Sequence, residues 1–310
     1  MEQQKGNKKA LKVVLLLLLT VGLVVSLLPY GAAASWHKIF TAFGLSDYSE
    51  AADHSPMSVH VLEVGKADSI FIECAGKYML VDGGTMDRGE FVANYLNRRG
   101  VKKLDYVVNT HPDEDHIGGL GEIITRFPVA HYLAPNIPKN LIPSSEEYFA
   151  VQAALEQKKL LTQTPLQGDT FALGDLKVQV LAPVKPGNST NDNSIVLRLV
   201  YGKTSFLLMG DAEKEEESDL VASGVPLSSD VLKVGHHGSG TSTTIALLNA
   251  VRPRYAAISV ADDSNHLPND SVLKRLNDAG AQIFRTDISG TLIFLSDGKT
   301  VSVITGRSKQ

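Results

Sequence analysis

An apolar, strand-like run, LDYVVNT, passes without a spacer into HPDEDH at residues 111–116, and Gly118 and Gly119 follow. Two imidazoles and three carboxylates therefore occupy six consecutive positions. Carboxylates packed this closely repel one another unless a cation neutralises them. Val107 and Val108 read as the buried end of a strand, and side chains at strand ends project into clefts. His111 and Asp113 are two apart, so in an extended segment they share a face. Asp115 and His116 stand at the start of the helix that follows. Imidazole with carboxylate suits zinc, manganese or iron, and the paired glycines let backbone pass close to the cluster.

The same design recurs. Asp82 ends YMLVDGG, Asp211 ends SFLLMGD, and His236 and His237 end VLKVGHHG. Each has an ordinary alternative: Asp-Gly-Gly is a good turn, Gly-Asp can cap a helix, and Ser239 or Thr241 can cap the helix after HHG. Taken together, every polar cluster leaves the same kind of apolar strand end. Alternating apolar residues mark MSVHVLEV, SIFIEC and KYMLV as strands, followed by a helix over 87–98. A helix is read in IGGLGEIITRF and a strand in AHYLAP, then a serine-started helix in SSEEYFAVQAALEQKK. LKVQVLAP, SIVLRLVYG and TSFLLMGD are strands. AEKEEESDLVAS is helical, with its charge run read as a solvated face. Two more helices and the strands RYAAISV, AQIFRT, TLIFLS and TVSVIT complete the chain. Strands in runs with helices in both halves predict an α/β layered domain with mixed sheets.

The chain is long enough, at 310 residues with 43% hydrophobic composition, to bury one large core or two modest ones. One cysteine, Cys74, sits in a strand pattern, so neither a disulfide framework nor a thiolate metal cluster is available. His60 and His131 also fall in strand patterns and read as structural, while His37 and His54 read as surface residues. The N-terminus has a different character. Lys5, Lys8, Lys9 and Lys12 precede an apolar run over 13–28, and small residues follow up to Ser35. Residues 1–34 read as a secretory signal peptide or a single-span membrane anchor, 35–56 as a linker and 57–305 as the folded domain. The lysines place the bulk of the chain outside the cytoplasm, secreted or anchored by residues 13–28. Without residues 1–34 the formal net charge goes from −4 to about −7, which disfavours nonspecific nucleic-acid coating.

LVDGG, THPDEDHIGG, NDNSIVLRL, LLMGD and VGHHGS, in that order, resemble the metallo-β-lactamase fold hydrolases, and most closely the branch typified by the C-terminal domain of the competence protein ComEC. The resemblance covers about residues 57–305. It implies an αββα sandwich, two mixed β-sheets flanked by helices, with one or two divalent metal ions, zinc or manganese. The family's H-x-H-x-D-H pattern falls on His111, Asp113, Asp115 and His116, with Asp113 replacing the second histidine. Asp211 matches the bridging carboxylate and His237 the last metal histidine, with His236 as its alternative. Asp82 matches the aspartate that orients the ligand loop. The family's remaining histidine is missing, because 189–194 reads STNDNS. The resemblance thus implies one site of His111, Asp113 and shared Asp211, and a tighter one of Asp115, His116, His237 and Asp211.

The resemblance further implies a hydrolase that uses a metal-activated water steered by Asp115. His266, in DSNHLPND, falls where ComEC-like chains carry an Asn…His-Pro segment, although Leu267 stands before Pro268, and reads as a leaving-group acid, a phosphate-binding residue or a loop histidine with no role. Lys233 is expected, with Asp82, in the layer behind the metal ligands, where it either meets an anionic substrate or pairs with Asp230, and Ser239 is expected to help bind substrate. An oxygen-rich site favours a phosphodiester substrate, DNA or a nucleotide, and Arg98, Arg99, Lys102 and Lys103 or Arg252 and Arg254 offer local basic faces. Membrane contact is expected only through an uncleaved N-terminal segment, and no obligate protein partner is evident. The alternatives are a lactam or ester hydrolase and a non-catalytic, metal-containing surface accessory protein.

Overall fold

The computed structural model describes residues 55–261 and 266–307. The expected signal or anchor and nearly all of the expected linker lie outside the described residues, as do His37 and His54. Among the described residues no helix is long and apolar enough to cross a membrane.

Two sheets form the framework. The first contains β1 (Met57–Val61), β2 (Ile70–Cys74), β3 (Lys77–Val81), β4 (Leu104–Val108), β5 (Val129–Leu133), β6 (Thr162–Gln163), β14 (Leu292–Ser296) and β15 (Val301–Thr305), in the order β15-β14-β1-β2-β3-β4-β5-β6. The second contains β7 (Thr170–Leu173), β8 (Leu176–Ala182), β9 (Val196–Tyr201), β10 (Thr204–Leu208), β11 (Val231–Lys233), β12 (Tyr255–Ile258) and β13 (Gln282–Arg285), in the order β13-β12-β11-β10-β9-β8-β7. Both are mixed. β1 to β3 and β7 to β10 run as antiparallel hairpins. β3 to β6 and β10 to β13 are parallel.

The period-2 alternation of the strands decides which layer each side chain joins. Val59, Ile72 and Met79 of the first sheet meet Leu197, Phe206 and Leu208 of the second in the central core. Their neighbours Phe71, Leu80 and Val107 face outward and pack under the helices α1 (Gly89–Arg98), α3 (Leu120–Arg126) and α4 (Glu146–Lys158). Leu207, Leu232 and Ala256 do the same beneath α5 (Lys214–Ala222), α6 (Ile245–Val251) and α7 (Asp270–Asp278). A two-residue-deep change of face thus builds an αββα sandwich, each buried Leu or Phe contributing about 1.5–3 kcal/mol. Ser145 starts α4 as expected, its Oγ accepting from the Tyr148 N–H. His60 is structural, held between the Tyr95 and Ser58 hydroxyls at 2.7 and 2.8 Å. Cys74 is a buried free thiol.

Three local expectations are corrected. The ligand-bearing helix is two pieces, α2 (Glu114–Ile117) and α3, joined at Gly118-Gly119. α6 is capped by Thr244, whose Oγ1 accepts from Leu247 N–H, rather than by Ser239 or Thr241. The charge run of α5 is not a solvated face: Glu216 and Glu217 are buried. Glu216 accepts from Val184 N–H at 3.0 Å and Glu217 from the N–H groups of Thr243 and Thr244, so these carboxylates replace missing backbone partners.

Candidate metal centre

The parallel strands deliver the polar clusters to one place. Asp82 follows β3, the 110–116 loop follows β4, Asp211 follows β10, His236 and His237 follow β11, and Ser259 follows β12. The backbone there is unusual. Asp82 has φ 59°, and His236, His237 and Gly238 have φ 46°, 52° and 80°. This run of left-handed residues costs conformational energy for a histidine and turns both imidazoles back over the strand ends.

Five side chains converge. His116 Nε2 lies 3.3 Å from Asp211 Oδ2, and His237 Nε2 lies 3.6 Å from the same oxygen. Asp115 Oδ2 is 3.5 Å from His237 Nε2, and Asp115 Oδ1 is 3.9 Å from His116 Nε2. The rings of His111 and His116 stand 4.1 Å apart between centroids. Three overlapping groups of donor atoms result, His111/His116/Asp211, Asp115/His116/His237 and Asp68/Asp82/His116. His116 belongs to all three, whereas the two sites expected from the sequence, His111/Asp113 and Asp115/His116/His237, shared only Asp211.

Nε2 of His111, His116 and His237 and Oδ1 of Asp211 are buried and without a hydrogen-bond partner. Buried polar atoms left unpaired are costly, and four around one point are what a bound divalent cation would satisfy. Burial alone would raise the Asp211 carboxyl, but His116, His237 and His111 outweigh it and hold Asp211 well below the usual carboxylate range. Burial likewise acts to raise Asp115, and His237 and His116 reverse it. Burial lowers His111, which suits a neutral nitrogen donor. The donor set fits one or two divalent cations.

The outer layer orients these donors. Asp82 Oδ2 accepts from His116 Nδ1 at 2.9 Å, and its two oxygens also accept from Thr110 N–H and Oγ1–H. His237 Nδ1 donates to the Ser259 carbonyl at 2.9 Å. A donating Nδ1–H leaves Nε2 with its lone pair toward the centre. The remaining expected residues are placed differently. Asp113 is half-exposed, with Oδ2 3.7 Å from His111 Nε2. His236 is the more open of the pair: its Nδ1 is held by Glu213 at 2.9 Å and its Nε2 is 3.9 Å from Asp211 Oδ2. His237, fully buried, is therefore the better-placed ligand. Ser239 sits at the rim, its Oγ 2.9 Å from Thr241 Oγ1. His266 is exposed, with φ 52°, in a segment docked on the histidine turn through Asn269 N–H to Gly238 O at 2.9 Å. Lys233 corrects both expectations for it. It is 1% exposed and its Nζ lies 2.8 Å from Asp68, so it neither pairs with Asp230 nor faces an open cleft. Asp230 instead accepts from Ser205 N–H.

In place of the absent histidine, Ser194 Oγ accepts from the Asp211 N–H at 3.1 Å. Asp68, Lys66 and Glu213 escaped the sequence reading. Lys66 Nζ meets Asp115 Oδ2 at 2.7 Å. The sequence signal for Asp68 is an acid just before the apolar strand SIFIEC, and it precedes a strand whereas the other polar clusters follow one.

The comparisons with known proteins agree with this geometry. The family model of the metallo-β-lactamase superfamily matches residues 62–261. ComE operon protein 3 of Bacillus subtilis is 32% identical over 254 residues, covering 76% of this chain and 32% of that protein. Competence protein ComA of Neisseria gonorrhoeae is 31% identical over 286 residues, covering 90% of this chain and 38% of its own. The chain thus spans about a third of the length of these curated relatives. Among solved structures, CmlA, a diiron β-hydroxylase from Streptomyces venezuelae, superposes with TM-score 0.54 at 15% identity, covering 85% of this chain and 60% of CmlA. YhfI of Bacillus subtilis gives 0.53 at 12%, covering 77% and 99%. These two share the fold. By family match, fold and donor constellation, the chain belongs to the metallo-β-lactamase superfamily, with ComEC-like competence proteins among its homologues.

Proposed function

We propose that this chain is a metal-dependent phosphodiesterase of nuclease type, holding one or two zinc or manganese ions and acting outside the cytoplasm. The observation that carries the reading is the donor set. Three buried imidazole nitrogens are matched by the carboxylates of Asp211 and Asp115, with Asp113 at the rim, and 191–194 supplies Asn-Asp-Asn-Ser instead of a further imidazole. Carboxylate oxygens in place of imidazole nitrogens make a site harder and suit metals that work on phosphate oxygens. The relatives' names, with competence in one and recombination in another, are consistent with a nucleic-acid substrate.

When bound, divalent cations supply Lewis acidity and a lowered pKa for water. The chain's own residues do the rest. Asp82 fixes the His116 ring, Asp115 aims a carboxylate into the centre where it can hold a water by hydrogen bonding, and His266 stands at the exposed rim as a proton donor for the leaving group. DNA would have to be met by a local surface, because the chain is acidic overall. Arg99 does not contribute to one, since its guanidinium is buried against Glu73 at 3.0 Å.

The test is hydrolysis by the full chain reconstituted with Mn2+ or Zn2+, offered an aryl phosphodiester, single-stranded DNA and a chromogenic lactam, with Asp115→Ala as control. Phosphodiester cleavage that Asp115→Ala abolishes is expected, and DNA cleavage should fall steeply with salt. Turnover of the lactam alone would replace this reading with a lactam hydrolase. Intact metal with no turnover at all would replace it with a non-catalytic surface protein.

A further inference from the structure

Asp68 and Lys233 form an ion pair at 2.8 Å in which each side chain is 1% exposed. A pair this deep in the protein gains little net stability, because desolvation offsets the Coulomb attraction. Its location is more informative than its strength. The Asp68 N–H donates to the Asp115 carbonyl at 3.1 Å, and its own carbonyl accepts from Gly84 N–H at 2.7 Å. Asp68 is thereby bound to the loop that carries Asp115 and to the turn that carries Asp82. Lys233 is the last residue of β11, four positions before His237, and its Nζ also donates to the Val234 carbonyl. The pair therefore joins the two halves of the centre, which come from opposite sheets.

The second carboxylate oxygen carries the argument further. Asp68 Oδ2 is taken by Lys233, while Oδ1 is buried without a hydrogen-bond partner and lies 3.7 Å from His237 Nδ1. The same Nδ1 donates to Ser259 O. The Ser259 carbonyl takes the Nδ1 proton, and the Asp68 carboxylate, too distant for a hydrogen bond, adds negative charge on the same side of the ring, so Nε2 keeps its lone pair for a metal. Asp82 backs His116 more closely, accepting a hydrogen bond from its Nδ1 at 2.9 Å. Each of the two histidines is thus backed by a buried aspartate, but only the one behind His237 is faced by a lysine.

We propose that the Asp68–Lys233 pair is a positioning element for His237: Lys233 clamps one oxygen of Asp68 so that the negative charge of the other stays behind the ring that the Ser259 carbonyl holds, keeping Nε2 toward the metal. Neither residue touches substrate in this assignment. It rests on the metal-centre reading and not on the phosphodiester reading.

The test uses Co2+ as the probe in the full chain, comparing wild type with Asp68→Asn, Lys233→Met and the double variant. Binding is followed by titration and by the visible d–d spectrum, with circular dichroism to establish folding. Asp68→Asn is expected to weaken Co2+ binding about 10- to 100-fold and to shift the d–d bands. Lys233→Met is expected to unfold the chain or to bind Co2+ less well than the double variant, because it alone leaves Asp68 buried without a counter-charge. The double variant keeps a neutral pair of similar volume, and if it folds it should still show the weakened binding and altered spectrum. Folded Asp68→Asn or double variant with wild-type affinity and spectrum would overturn the proposal and leave a purely structural ion pair. Wild-type chain that binds no Co2+ would overturn it together with the metal centre. Loss of phosphodiester turnover with Co2+ binding as predicted would remove the proposed activity alone.

Discussion

Asp82 Oδ2 and His116 Nδ1 are 2.9 Å apart, both residues are buried, and the same carboxylate holds the Thr110 N–H and hydroxyl. One side chain therefore sets a ring and the loop that bears it. Asp82→Asn should weaken metal binding by about 10- to 100-fold, measured by competition against a chromophoric chelator. Unchanged affinity would mean that the loop is held by something other than this carboxylate.

Asp113 and Asp115 are two residues apart and differently placed. Asp115 lies in a group of mutually close donors, whereas Asp113 is half-exposed and nearest only to His111. Asp115→Ala should cost at least about tenfold more metal affinity than Asp113→Ala. Isothermal titration of the two variants decides it, and equal losses would place Asp113 fully in the ligand shell.

A Cβ on Gly119 would run into the carbonyl oxygen of Gly83, a backbone atom with no freedom to move aside. The HIGG turn and the DGG turn touch there, and the contact brings Asp82 beneath His116. Gly119→Ala should destabilise the fold by about 1–3 kcal/mol or more, read as a lower denaturant midpoint. A midpoint equal to wild type would contradict this close approach.

Burial pushes the Glu216 carboxyl up to about 7, opposed by its hydrogen bond from Val184 N–H. In the unfolded chain it titrates near 4.5. Between these values the folded state binds the extra proton, so stability falls as pH rises from about 4.5 to about 7 and then levels off. Glu216→Gln keeps an acceptor for Val184 and carries no charge. It should remove this decline and leave the protein on the order of 2–3 kcal/mol more stable at pH 8, measured by urea unfolding across pH. A variant with the same pH slope as wild type would show that Glu216 is not its source.

Much of this architecture was legible in the chain because the polar clusters end apolar runs, and strands read by alternation fix both the layers and the edge where the clusters gather. The candidate donors at 111, 115, 116, 211 and 237 were named from that pattern and the family resemblance. What was not legible depends on pairing across the fold. Nothing near Lys233 in sequence announces Asp68, 165 positions earlier, and Asp230 is the closer carboxylate along the chain. Glu216 and Glu217 sit in a run of charges whose burial follows only from unpaired backbone N–H groups at Val184, Thr243 and Thr244. The strand β7 was missed because TFAL is short and mostly outside the core, and its pairing with β8 supplies the order that its own residues do not.

The most direct measurement is the metal content of the purified full chain after extensive dialysis, by plasma mass spectrometry, for wild type and Asp211→Ala. Asp211 is the carboxylate near all three buried imidazoles, 3.3 Å from His116 and 3.6 Å from His237, and it shares a donor group with His111. The account predicts one to two divalent ions per wild-type chain and a loss of most of that metal in the folded variant. Wild-type metal content in a folded Asp211→Ala chain would contradict the assignment of this cluster as the metal centre.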